Sequence, residues 1–538
     1  MNLYTDTRGI VTEPLTFSEV VLKGIAPGGG LFVPEHIPTM TLDEICGLAK
    51  LPYWQRASNI YQRFEVDFTR DETERLMQLA YGDNFDTPDI APVKSIGDGM
   101  YALELWHGPT SAFKDMALQC LPVFFSASVE KQRAGGTLGA DGTSGAAGGS
   151  GTSGAPGSPS SAADADVNYL IAVATSGDTG KAALEGFRDR EHTSIIVFYP
   201  DGGVSDIQHK QMATQGGSNV RVHGVRGNFD DCQGAVKRMF VDDDFNSRLA
   251  NTSGTRLSSA NSINWGRLLP QIVYYVSSYA SMVAAGHIEA GEAIDVTVPS
   301  GNFGNITACW YAKKMGVPIE RIVCASNANH VLTDFIDTGI YDITDREFVL
   351  TISPSMDILV SSNLERQLFE LTGRDTERIA GWWRELAGRK RFQVDARTFG
   401  RLRQHYACGM VDNDTSLQTI RSVWERYAYV IDPHTAVAWT VAERNKSERA
   451  MLVASTANWA KFGSAVYRAL HDLSSTDPLP SSVAGLTGVE MNRLVSKETG
   501  GTPIPAALDE LDDLEVRFTE VIGNTLGDVE AAVERFVG

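Results

Sequence analysis

Lys114 stands in a setting that can make an amine reactive. In Leu103–Gln119, LELWHGPTSAFKDMALQ, it follows a His-Gly-Pro-Thr turn and opens the amphipathic run Phe113–Leu121, which places its amine at a helix start. The partial positive charge of a helix N-terminus disfavours a second positive charge, lowers the ammonium pKa and leaves free amine for carbonyl chemistry. A neutral lysine can form an imine. The same position also suits a solvated first-turn lysine, so the reading rests on what accompanies it.

Four other stretches carry polar groups at element ends. In PSGNFGN, the loop Gly301, Asn302, Phe303, Gly304, Asn305 lies between an expected strand at Ile294–Val298 and a helix through Met315. Backbone N–H groups and a helix dipole converge there on one point that suits a phosphate, and the two asparagines add side-chain donors or acceptors. TSGDTG, Thr175–Gly180, offers hydroxyls at Thr175, Ser176 and Thr179 and a carboxylate at Asp178, for an anion, a ring hydroxyl or simply a helix cap. In SANSINWGRLLPQ, Asn264 and Arg267 can supply hydrogen bonds and charge to a phosphate, unless the arginine is a surface residue near a helix start. Thr456, at the end of a strand, can turn its hydroxyl to a bound ring.

Two nucleotide signatures fail. Gly149, Gly151 and Gly154 satisfy GxGxxG, but no strand precedes them and prolines follow; Gly180-Lys181-Ala182 lacks the Ser or Thr of a Walker motif.

The elements that must position these groups alternate. Tyr169–Ala174 and Ser194–Tyr199 read as strands around a helix at Lys181–Arg188; Ile294–Val298 and Arg321–Ala325 repeat the pattern, and Met451–Ala454 adds another strand. Strands alternating with helices make an α/β protein with parallel sheets, and ligands gather at the carboxyl ends of such strands. The Lys114 helix is expected to run to about Lys131. Four regions follow: an N-terminal domain at 1–95, an α/β catalytic region at 96–133 and 167–505, an insertion at 134–166 and an acidic helical segment at 506–538. The insertion has almost no large apolar side chain, so it is expected to be a flexible, dispensable surface segment. Three glycines in Lys23–Glu35 read as a tight bend that implies no ligand by itself.

Composition narrows the partners. The 538 residues carry a formal charge of −20, which opposes nucleic acid or an anionic membrane, so an anionic ligand needs a local site. Neither a leader pattern nor a membrane-length apolar run is evident, and a cytoplasmic protein is expected. Six cysteines without a CxxC pair read as reduced core residues, and the ten histidines include no HExxH, so no metal site is expected.

Taken in order, HGPTSAFKD, TSGDTG, SINWGR, PSGNFGN and STANWAKF closely resemble the motifs of the threonine synthase family in its longer bacterial and fungal form. The resemblance covers nearly the whole chain apart from the insertion. It implies the fold type II architecture of pyridoxal-phosphate enzymes, two α/β subdomains with an additional N-terminal domain, and pyridoxal 5'-phosphate as cofactor. It further implies that Lys114 forms the internal aldimine, that Gly301–Asn305 wrap the cofactor phosphate, and that Thr456 hydrogen-bonds the pyridine nitrogen. Ser176, Asp178 and Thr179 resemble the substrate-side loop, with Asn264 and Arg267 as candidates for the substrate phosphate.

The implied reaction converts O-phosphohomoserine and water to threonine and phosphate, in a monomer or homodimer. A related phospho-lyase giving 2-oxobutanoate and ammonia would share every cofactor residue, and a protein that binds a phosphorylated ligand without turnover would need the loops but not Lys114. Two departures from the family pattern are Asn458-Trp459, where His-Pro is usual, and Gly28, where an Asp is usual.

Overall fold

The computed structural model describes residues 1–138 and 167–538. Most of the expected insertion, 139–166, therefore lies outside the described residues, while the helix Leu121–Leu138 continues into its first residues.

Two sheets with helices packed on them form the frame. The larger has six strands in the order Tyr406–Met410, Ile319–Ser326, Ile294–Pro299, Met451–Ser455, Met100–Glu104, Val93–Gly97. All neighbours are parallel except the last pair. The smaller has five parallel strands in the order Val521–Ile522, Val220–Val225, Thr193–Pro200, Asn168–Ala174, Thr255–Ser258. Central strands such as Ile294–Pro299 and Met451–Ser455 are buried along their whole length, as parallel strands covered on both faces must be. This is the α/β architecture with parallel sheets expected from the alternation of strands and helices.

The strand-to-helix order puts four loops at the carboxyl ends of their strands: 105–114, 175–177, 300–303 and 456–458. The first and last are neighbours because Met451–Ser455 pairs in register with Met100–Glu104, and Leu105 N–H continues the ladder to the Ser455 carbonyl at 3.0 Å.

The N-terminal helices do not have a core of their own. Phe17 and Tyr61 pack on Phe124 with ring centroids 5.7 and 4.9 Å apart, and Tyr4 packs on Trp265 at 5.8 Å. All belong to the apolar cluster that also holds the helix Trp265–Ala284. Residue 95 is therefore not a boundary of the core.

The tail is also integral. Val521–Ile522 is the edge strand of the smaller sheet, with Gly224 N–H donating to the Glu520 carbonyl at 3.0 Å. The helix Leu526–Val537 buries Val529, Ala532 and Val533 in the cluster that contains Cys232 and Val236. Amphipathicity gave the helix away in the sequence; the two-residue strand was too short to show a period.

The Lys114 helix differs from expectation. It breaks after one turn, Asp115–Leu118, and a new helix starts at Leu121. Pro122 marks the restart, since proline fits the first turn of a helix but not its interior. All six cysteines are free, four of them buried. Among the described residues, no helix is long and apolar enough to cross a membrane.

Candidate active site

Lys114 is held by the turn before it. Asp115 accepts from the Thr110 N–H at 2.8 Å and the Thr110 hydroxyl at 2.6 Å. Phe113 N–H donates to the Thr456 carbonyl at 2.8 Å, and Asn458 N–H to the Ser111 carbonyl at 3.1 Å, so the lysine turn is stitched to the loop after Met451–Ser455. The Lys114 side chain is buried, with its amine 2.9 Å from the Ser355 hydroxyl and 3.4 Å from Asp178 Oδ2. Burial pulls this amine down to about 8 against the opposing pull of Asp178, and the positive charges of Arg267 and Lys461 add to the lowering. The depressed pKa expected of a helix start thus has another main cause, desolvation, because the helix is only one turn long.

Asp178 is the charge at the centre. The cap of its helix is Gly177, so the carboxylate is not spent on capping and points at two lysines instead. Oδ1 lies 2.9 Å from the Lys461 amine and accepts from Gln208 Nε2 at 2.8 Å; Oδ2 faces Lys114 and accepts from the Ser355 hydroxyl at 3.3 Å. Burial raises its pKa, but Lys461 and Lys114, with smaller help from His434 and the Gln208 hydrogen bond, outweigh burial and hold the carboxyl well below the usual range. Thr175 is structural: its hydroxyl accepts from the N–H groups of Gly177 at 3.0 Å and Gly180 at 2.8 Å. Thr175, Ser176 and Thr179 all line the cavity described next.

The glycine loop forms a second wall. Gly301 has φ +118° and Phe303 φ +62°, and Phe303 precedes the twelve-residue helix Gly304–Met315. A Cβ on Gly301 would lie 3.1 Å from the Ser355 carbonyl oxygen, in a backbone conformation that favours glycine. The Ser361 hydroxyl fixes the loop by donating to the Gly301 carbonyl at 2.8 Å, and Asn363 N–H donates to that of Asn302 at 2.9 Å. The first N–H groups of such a helix have no intrahelical partners. Asn305 Oδ1 accepts from the hydroxyls of Tyr274 and Tyr275 at 2.6 and 2.5 Å, while its Nδ2 is buried without a partner among the described residues. A donor left unpaired at a helix start suits an anion.

Lys114, Ser176, Thr179, Arg267, the residues Gly301–Asn305 and Thr456 all line one cavity of about 940 Å³. Arg267 is buried; Nη1 donates to the Ala260 carbonyl at 2.8 Å and Nε has no partner among the described residues. Burial lowers its pKa to about 10. Asn264 does not join them. Its Oδ1 caps the helix by accepting from Gly266 N–H at 2.9 Å and its Nδ2 donates to the Val21 carbonyl at 2.9 Å, so its side chain is spent on structure. Asn is a favoured cap residue, and that signal stood in the sequence directly before a helical run.

Several residues at the site escaped the sequence reading. Ser355 bridges Lys114 to the Gly301 loop, Lys461 pairs with Asp178, and His434 accepts the Ser355 N–H at 3.2 Å through Nε2. Lys23 and the turn 25–29 also line the cavity, as does Arg8, whose guanidinium makes two 2.9 Å bonds to Glu365. The glycine bend, which by itself implied no ligand, is thus part of the cavity wall. Of the two departures, Gly28 lies in that bend at φ +69°, and Asn458 caps the short helix Trp459–Phe462 by accepting from Ala460 N–H at 3.0 Å.

Comparison with known proteins meets this geometry from the outside. Residues 3–81 match the family model Threonine synthase N terminus, and residues 435–497 match Threonine synthase, C-terminal. Threonine synthase-like 1 of Homo sapiens is 40% identical over 463 residues, 84% of this chain but only 58% of that protein, so the chain spans little more than half its length. Threonine synthase of Eremothecium gossypii is 34% identical over 517 residues, covering 91% of this chain and 94% of its own. The crystal structure of a PLP-bound threonine synthase from Brucella melitensis has a TM-score of 0.81 at 33% identity, with 100% of both chains covered. Likeness of this extent, running through both sheets and every loop of the cavity, means that the chain belongs to the threonine synthase family.

Proposed function

We propose that this protein is a pyridoxal-phosphate-dependent lyase acting on a phosphate ester: a threonine synthase that converts O-phosphohomoserine and water to L-threonine and inorganic phosphate. The observation that carries the reading is the Lys114 amine, buried and lowered to about 8, in the wall of a cavity that also holds a helix N-terminus and the buried Arg267. The residues present fit the cofactor. Gly301–Asn305, with the unpartnered Asn305 Nδ2, would take its phosphate; Thr456 would face its ring nitrogen; Lys114 would attach it.

When bound, pyridoxal phosphate supplies the electron sink that stabilises a carbanion next to the substrate amine. This chain's residues do the rest. Lys114 Nζ, released from attachment by the substrate amine, removes the proton from Cα and then one from Cβ. Arg267, with Ser176 and Thr179 of the same cavity, holds the substrate phosphate until it leaves Cγ. A proton is then delivered to Cγ, which becomes the methyl carbon; water adds its oxygen at Cβ and gives up a proton, and a proton returns to Cα.

A second reading, elimination of phosphate followed by release of 2-oxobutanoate and ammonia, uses the same residues. It is left open by the relatives at 40% identity, which are named threonine synthase-like. Incubating the purified protein with O-phosphohomoserine and measuring phosphate, threonine and 2-oxobutanoate together separates the two. Threonine formed in step with phosphate is the expected result; 2-oxobutanoate in its place moves the function to the phospho-lyase, and no phosphate release at all would overturn both.

A further inference from the structure

Two lysines share one carboxylate at this site. Lys461 is almost fully buried, on the short helix Trp459–Phe462, and its amine lies 2.9 Å from Asp178 Oδ1 and donates to the Thr110 carbonyl at 2.9 Å. Lys114 reaches the other oxygen of the same Asp178 at 3.4 Å and otherwise touches the Ser355 hydroxyl, a neutral group. One negative charge cannot neutralise two buried ammonium groups, and a buried charge left uncompensated is costly, so one of the two amines must give up its proton more easily. Lys461 has two short contacts to acceptors, one ionised and one a carbonyl. Lys114 has one long contact to the ionised group.

We propose that Lys461 is a positioning residue that acts through Asp178: it takes up one oxygen of the shared carboxylate and so leaves Lys114 as the free, reactive amine. Among the described residues, the other charged and titratable groups around the pair do not supply a second counter-charge at ion-pair distance. Asp115 is engaged by Thr110, Lys181 pairs with Glu185 at 3.0 Å, and Arg267 adds positive charge. His434 accepts the Ser355 N–H at Nε2, so its proton sits on Nδ1, 2.6 Å from Asp432. Lys461 is thus a device for deprotonation built from a second lysine, which acts without touching substrate. The lowered pKa of Lys114, to which Lys461 contributes after burial and Arg267, agrees with that direction.

The inference rests on Lys114 being the reactive amine of the proposed function, and its test does not require turnover. The full chain, freed of cofactor, is mixed with pyridoxal phosphate across pH 6 to 10; attachment at Lys114 is trapped by borohydride reduction and followed by peptide mass. The rate follows the neutral fraction of the amine, which grows as pH rises through its pKa. In Lys461→Met the whole charge of Asp178 falls to Lys114, so the midpoint is expected to move up by about one to two units and attachment at pH 7 to slow by about tenfold or more. Lys461→Gln, which keeps a hydrogen bond to Thr110 without the charge, is expected to do the same, and covers the case in which the methionine variant does not fold. Lys461→Arg is expected to keep the midpoint of the parent. In an Asp178→Asn background the Lys461 substitution is expected to lose most of its effect, which a merely structural role would not produce. An unchanged midpoint in folded Lys461→Gln overturns the inference. Failure of the parent chain to attach at Lys114 at any pH overturns the proposed function instead.

Discussion

Replacing Lys114 with alanine is expected to lower turnover by at least ~10³-fold, since it removes both the attachment point and the base that moves the Cα proton. The fold is expected to survive. Asp178 keeps Lys461 at 2.9 Å and Gln208 at 2.8 Å as partners, so no buried charge is stranded by the change. Lys114→Arg is expected to be as inactive as the alanine variant, because a guanidinium stays protonated and cannot form the imine. Phosphate release from O-phosphohomoserine, measured beside thermal unfolding of each variant, checks both halves. Turnover within tenfold of the parent in a folded Lys114→Ala protein would refute the assignment of Lys114.

The second large effect is expected at a glycine that lines no part of the cavity. Gly186 lies in the helix Asp178–Phe187, where an added Cβ would stand 1.8 Å from the Leu118 carbonyl oxygen and 3.0 Å from Pro122 Cγ. Leu118 ends the one-turn helix that begins next to Lys114, and a backbone carbonyl cannot rotate away as a side chain can. Gly186→Ala is therefore expected to cost about 3 kcal/mol or more, seen as a marked fall in Tm or loss of soluble protein, together with a large loss of activity. Gly381 provides the contrast. It sits inside the helix Thr376–Arg389 with nothing within 4 Å of an added Cβ, so Gly381→Ala is expected to be neutral or to stabilise by about 0.5–1 kcal/mol. Equal melting temperatures for Gly186→Ala and the parent would show that the two helices slide apart at little cost.

The parts of the site that were legible in the sequence are those in which one short stretch contains the whole signal. Lys114 with its preceding turn, and Gly301–Asn305 between a strand and a helix, carry their geometry in neighbouring residues, and the parallel α/β frame follows from alternating apolar runs. The residues that were missed meet only through the fold. Ser355 reaches Lys114 across 241 positions, and Lys461 reaches the Thr110 carbonyl across 351. No periodicity encodes such a meeting. A buried lysine does leave a trace, since Lys461 stands between Trp459 and Phe462 in an otherwise apolar run, but that trace gives burial without naming a partner. Asn264 was misread for the opposite reason: a polar residue at a helix start has a local use, and the local use was the true one. The helix break after Leu118 was likewise written in Pro122 and overridden by the hydrophobic pattern running through it.

The tail strand has a consequence for how the chain is made. Val220–Val225 leaves the ribosome with one edge of its sheet unpaired, and the strand that covers that edge, Val521–Ile522, follows only much later in the chain. Roughly 300 residues separate them, on the order of 15–60 s of elongation at usual rates. Through that interval the apolar faces of Cys232 and Val236 also wait for the helix Leu526–Val537. The nascent protein thus exposes an open sheet edge beside an uncovered helix face, a combination that invites pairing with another chain. The half of the molecule that holds Asp178 is closed only when this distant strand arrives, so a ribosome that stops before Val521 releases a chain with most of its cavity and an open edge.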